Sequence, residues 1–217
     1  MCGRFTLFSS AKTISEDLEI DLKEVNHSHN IAPGDSVLSV YQDPDDNKRV
    51  GRYAHWGLKT PQNFHINARI ETIDTLPRFR DAWAKNRCLI PANGFFEWYQ
   101  DGLTKQPYYI FPKSLTPIYI GALRYSLATD LDNIVLVTTQ SNPEIQKIHE
   151  RMPLIVPTQS HKAWLEGTVS KSDLIEMNAT VSMEAHTVSR RVNSTINNDS
   201  MLIEKKDPSN DDQLRLF

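Results

Sequence analysis

Apolar positions along this chain come in short bursts and not in long helical repeats. Runs rich in β-branched and aromatic residues, broken by Pro or Gly, predict strands at 3–8, 36–42, 49–56, 87–90, 95–99, 107–111, 117–122 and 133–137. Helical segments are fewer. A serine cap opens 10–18, Pro77 precedes 78–85, and Asn142 caps 143–149, with further helices predicted at 161–166 and 172–178. Strands and helices do not alternate regularly, and no internal repeat is present. The pattern therefore predicts an α+β fold with a curved, barrel-like, mostly antiparallel sheet and peripheral helices, in one domain over 1–205. Beyond Ile203 the chain turns polar and charged, which predicts a flexible tail over 206–217.

The chain has 217 residues, of which 39% are hydrophobic, enough for a substantial core. No run of about eighteen apolar residues exists, so no membrane span is expected. Arg4, Lys12, Glu16, Asp17 and Glu19 within the opening segment argue against a secretory signal. A cytoplasmic, nucleoid-associated protein is the expectation. With Cys2 and Cys88 as the only cysteines, reduced thiols are expected and no disulfide framework. His27 and His29 make a poor ligand pair without partners, so neither metal nor cofactor is predicted. The net charge of −3 excludes binding to DNA by bulk charge. Distribution changes the picture: 48–87 holds nine basic residues against three acidic ones. That stretch either lines a phosphate-binding surface or scatters over several solvated faces.

The candidate chemistry begins at Met1-Cys2-Gly3-Arg4-Phe5. Removal of Met1 leaves a 1,2-aminothiol, whose amine condenses with an aldehyde and whose thiol closes the imine into a thiazolidine. Reference values of roughly 7.7–8.0 for the amine and 8.5 for the thiol predict that little tuning is needed. Glu97 is a carboxylate between Phe96 and Trp98 in an apolar strand. Such surroundings raise its pKa towards an acid/base value; the bland alternative is a side chain on the wet face of the strand. His149 ends a predicted helix, where a dipole favours a cationic ring. Asn67 and Thr138 are equally readable as turn and strand-end residues, and Arg69 and Arg151 as members of ordinary ion pairs.

Read together, MCGRF, Asn30-Ile31-Ala32-Pro33, Trp56-Gly57-Leu58, NARIET, RCLIPANGFFEW and HERMP resemble, in order, the SRAP family of abasic-site-shielding proteins. The resemblance runs from Met1 to about Ile203. It implies an SRAP-like catalytic and DNA-binding domain in which Cys2 forms a thiazolidine crosslink with the deoxyribose aldehyde of an abasic site in single-stranded DNA. It further implies Glu97 as acid/base, His149 as assistant to sugar ring opening, and Asn67 as a hydrogen-bonding hold on the sugar. Arg4, Arg69, Thr138 and Arg151 are implied as phosphate contacts, and Pro33 and Trp56 as residues that stack on or wedge against bases. Only Met1 precedes Cys2, so no leader is expected to need cutting. The segment between Trp56 and Asn67 is shorter than is usual in that family.

The tail ends in Gln213-Leu214-Arg215-Leu216-Phe217, which resembles the bacterial sliding-clamp-binding peptide. Gln213, Leu214, Leu216 and Phe217 are the expected anchors, and the leash raises effective concentration at the partner. A monomer is expected. The competing functional readings are an N-terminal-cysteine peptidase and a non-catalytic, clamp-tethered DNA-binding adaptor.

Overall fold

A computed structural model of the protein describes residues 2–102, 104–126 and 131–207. The first half of the chain forms β1 (Arg4–Leu7), α1 (Ala11–Leu18), β2 (Ser28–Ile31), β3 (Ser36–Gln42), β4 (Arg49–Trp56), β5 (Leu58–Lys59), β6 (Phe64–His65), β7 (Asn67–Arg69) and α2 (Pro77–Lys85). The second half adds β8 (Arg87–Ala92), β9 (Gly94–Asp101), β10 (Thr104–Pro112), β11 (Ile118–Tyr125), β12 (Asn133–Gln140), β13 (Arg151–Pro153), α3 (His161–Leu165), α4 (Lys171–Ala179) and β14 (Met183–Thr187).

Sheet geometry follows from burial. Every residue of β8 is buried, as are those of β12 from Ile134 to Thr139, because both strands are covered on two faces. They belong to a ring in the order β11, β8, β3, β4, β12 that closes where β12 pairs with β11. The five ring strands close on themselves, and β7 and β13 pair with β12 outside the ring. Its helical cover is tied by Trp164 of α3, whose indole N–H donates to the Cys88 carbonyl at 2.9 Å. The second sheet runs β14, β10, β9, β1, β2. Strands β9 and β10 pair antiparallel from Thr104↔Asp101 to Ile110↔Phe95.

Caps form where the sequence places them: Ser10 accepts from the Thr13 backbone N–H at 3.1 Å and starts α1. The segment 143–149 departs from its predicted helix and consists of successive turns. Asn142 does cap it, accepting from the Ile145 N–H at 3.0 Å. The cause is closure: Gln140 pairs with Arg151, and the Ser141 N–H donates to the Glu150 carbonyl, so both ends of the loop are pinned together and a straight helix does not fit. No described helix is long and apolar enough to cross a membrane. The main chain is bonded as far as Lys206, whose N–H donates to the Thr187 carbonyl on β14. The clamp-like residues Gln213 to Phe217 lie outside the described residues, as does Met1.

Candidate active site

The site forms where the two sheets meet. Strand β1 runs antiparallel to β9 with Arg4 opposite Phe96, so the residues just before β1 lie beside Glu97 and Trp98. Two local features hold this pairing tight. Asn93 accepts from the backbone N–H groups of Phe8 and Ser9 at 2.7 and 3.0 Å, fixing the exit of β1. Gly94 lies so close to Ile110 and Tyr109 that a Cβ there would sit 2.6 Å from the Ile110 carbonyl, so only glycine permits the approach. Across from β9, β7 pairs parallel with β12, placing Asn67 opposite Leu136 and Arg69 opposite Thr138. The Asn67 amide donates to the Cys2 carbonyl at 2.8 Å and thereby ties the chain start to the ring.

Cys2 and Glu97 interact electrostatically in a buried setting, at 0% and 2% exposure. Burial lifts the Glu97 carboxyl from 4.5 to about 7. Burial, reinforced by the Glu97 charge, pushes the Cys2 thiol well above its ordinary range. This corrects the expectation that the thiol needs little tuning: it is held protonated, and a base must take its proton. The Glu97 expectation of apolar surroundings holds, and the wet-face alternative does not.

Glu97 and His149 line one cleft of about 660 Å³, together with Trp98, Lys105, Gln146 and Asn193. His149 sits after a turn and not at a helix end, so no helix dipole acts on it. Its Nδ1 lies 3.0 Å from the Arg151 backbone nitrogen and 3.1 Å from the Arg151 carbonyl oxygen; burial lowers its pKa, against the opposing pull of that backbone contact. A second cleft of about 360 Å³ shares Gln146 and Glu150 with the first and is lined by Arg69 and Arg151. Arg69 is exposed there, whereas Arg151 is buried and bound by Glu71 in a two-pronged pair at 2.7 and 3.0 Å. Buried polar atoms beside these groups with no hydrogen-bond partner include Asn67 Oδ1, Arg151 Nε and Ser141 Oγ. Buried atoms of this kind are normally satisfied, by protein or by ordered water. Among the described residues no cluster of metal-binding side chains assembles.

Other expected contacts lie elsewhere. Trp56 is wholly buried, packed on Phe5 and donating its indole N–H to the Ile66 carbonyl, so it forms the floor beneath the site and not a stacking surface. Thr138 is also wholly buried, accepting from Arg151 at 3.3 Å, and presents no hydroxyl to a phosphate. The Arg4 guanidinium is spent on Asn30 Oδ1 and the Val192 and Asn193 carbonyls, which makes it a tie between β1 and the C-terminal segment. Pro33 is half-buried, in a turn whose Gly34 N–H donates to the Trp56 carbonyl. The basic stretch scatters: Arg87 is buried over the Trp83 ring, Arg49 reaches back to Leu18 and Glu19, and Lys48 and Arg80 pair with nearby aspartates.

Phe64 is an exposed aromatic that the sequence pattern did not single out. Its ring lies over Gly57, whose φ of +127° and lack of Cβ make room for it. The clue was the short Trp56 to Asn67 segment, in which Phe64 is the one aromatic. Glu71 stands two residues after Arg69, in the turn that follows β7, and the sequence pattern did not single it out. Asn193 comes from a distant part of the chain and carried no signal.

Residues 1–195 match the family model described as SOS response associated peptidase (SRAP). The chain belongs to the SRAP family. Among SRAP relatives, the abasic site processing protein YoqW of Bacillus subtilis is 36% identical, over 94% of this chain and 99% of its own. The abasic site processing protein YedK of Escherichia coli is 29% identical over the same shares. A crystal structure of a Bacteroides thetaiotaomicron protein superimposes with a TM-score of 0.78, covering 94% of this chain and all of that one at 20% identity. That likeness shows the shared α+β fold.

Proposed function

We propose that this chain senses abasic sites in single-stranded DNA and bonds to them through Cys2 once Met1 is removed. One observation carries the reading: a buried cysteine at the chain start lies within electrostatic reach of a carboxyl whose pKa burial lifts to about 7. Relatives spanning nearly the whole chain bear the name abasic site processing protein, which supports the substrate.

The ring-opened abasic sugar is an aldehyde. His149 assists the opening, in which a proton leaves the C1′ hydroxyl and one arrives at the ring oxygen. The Cys2 amine attacks C1′ to give a carbinolamine, which loses water to become an imine. The thiol then adds across the C=N bond, sulfur to carbon and proton to nitrogen. One water is released in total and nothing is oxidised or reduced. Glu97, poised near neutrality, takes the ammonium proton, delivers one to the departing hydroxyl, and accepts the proton that burial keeps on the thiol. Asn67 Oδ1 is the open acceptor for a sugar hydroxyl or the nascent ring N–H. Arg69 and the Nε–H of Arg151 face flanking phosphates, and Phe64 with Pro33 offers apolar surface to a neighbouring base.

Incubation with an abasic oligonucleotide followed by a denaturing gel and intact-mass measurement tests this. The expected product lacks Met1 and weighs the sum of protein and DNA less one water. Cys2→Ala is expected to abolish it. Undiminished, hydrolysis-resistant crosslink with Cys2→Ala overturns the mechanism.

A further inference from the structure

Glu71 has no place in the chemistry above, yet its carboxylate is the principal partner of Arg151. It accepts from Nη1 at 2.7 Å and Nη2 at 3.0 Å, and Nη2 donates also to the Thr138 carbonyl at 2.8 Å. A planar guanidinium gripped along its Nη1–Nη2 edge has no rotational freedom left. Its Nε–H is buried without a partner in a side chain that lines the second cleft. The Arg151 main chain in turn holds the His149 ring, N–H to Nδ1 at 3.0 Å. Glu71 itself is half in solvent, so it is not needed to fill a core.

We propose that Glu71 is a positioning residue that aims the Arg151 Nε–H at a bound phosphate and, through the Arg151 main chain, fixes the ring of His149. A carboxylate here acts as a fixed stand-in for one of the two anions an arginine can bridge. It compensates the guanidinium charge and leaves the Nε–H for DNA. The role rests on the abasic-site reading only for its consequence in rate; the orientation of Arg151 and His149 belongs to the DNA-free protein. The charged groups sharing the His149 cleft are Glu97 from β9, Lys105 from β10 and Glu150 from its own loop, with Arg151 following from β13.

The test is a double-mutant cycle in the full chain with Glu71→Gln, Arg151→Lys and the pair, read by crosslinking rate at saturating abasic DNA. Nuclear magnetic resonance of the Arg151 Nε–H and a titration of the His149 ring run alongside. Each single variant is expected to slow crosslinking on the order of tenfold, with the double no slower than the slower single. In Glu71→Gln the Nε–H signal is expected to broaden and the His149 midpoint to fall, since an uncompensated Arg151 opposes a cationic ring. Independent, multiplying rate losses overturn the proposal, as do an unmoved Nε–H signal and midpoint. Absence of crosslinking by the parent protein overturns the abasic-site reading instead, and the resonance measurements still decide the role of Glu71.

Discussion

Glu97 shows how one side chain links stability to chemistry. A carboxyl raised from 4.5 to about 7 in the folded state binds a proton more tightly there than in the unfolded chain. Its favourable contribution is complete below pH 4.5 and is lost as pH rises through about 7, a difference of about 3 kcal/mol. Glu97→Gln removes that penalty. The variant is expected to match the parent in urea unfolding at pH 4 and to exceed its stability at pH 8, while crosslinking about 10²-fold or more slowly. Equal stability of the two proteins at pH 8 would show that Glu97 is not held near neutrality. The sequence made Glu97 legible, because a carboxylate between Phe96 and Trp98 is anomalous in a strand. The state of its neighbour was not legible. The acidity of Cys2 depends on burial by residues distant in the chain, which local pattern does not reveal.

At the level of elements, β3 and β4 match their predicted spans from end to end, and α1, α2 and α4 match theirs to within a residue, α1 behind its serine cap and α2 from Pro77. The two-residue β5 and β6 and the three-residue β7 and β13 carry too few positions to show any period, yet β7 and β13 bear the site residues. Their places come from pairing with β12, a long-range fact. Trp56 is consumed by packing on Phe5, whereas Phe64 on the hairpin of β5 and β6 is exposed and is the aromatic proposed to meet a base. Phe64→Ala is therefore expected to weaken binding of intact single-stranded DNA by about 1–3 kcal/mol, measured by fluorescence anisotropy. Trp56→Phe is expected to act on thermal stability instead. If Phe64→Ala binds like the parent, bases do not stack on this hairpin.

For the whole molecule, the crosslinking chemistry is expected to reside in the domain and clamp recruitment in the tail. Deleting Gln213 to Phe217 is expected to leave crosslinking to free oligonucleotides unchanged. The same deletion is expected to abolish calorimetric binding to a bacterial sliding clamp at about micromolar dissociation constant. No heat from the intact chain would return these residues to a chance apolar end. A different consequence follows from the enclosure of Cys2 between β1, β9 and the Asn67 amide. Metabolism is full of small carbonyl compounds and oxidants that would cap an exposed aminothiol and exhaust it. A sulfur with no accessible surface and a firmly held proton reacts slowly with such reagents. Iodoacetamide is accordingly expected to modify both Cys2 and Cys88 far more slowly in the native protein than in denaturant, as followed by peptide mass. Labelling of Cys2 at the rate of a free thiol would contradict this. If Cys2 bonds to lesions as proposed, its cover keeps a reactive chain end from being spent beforehand.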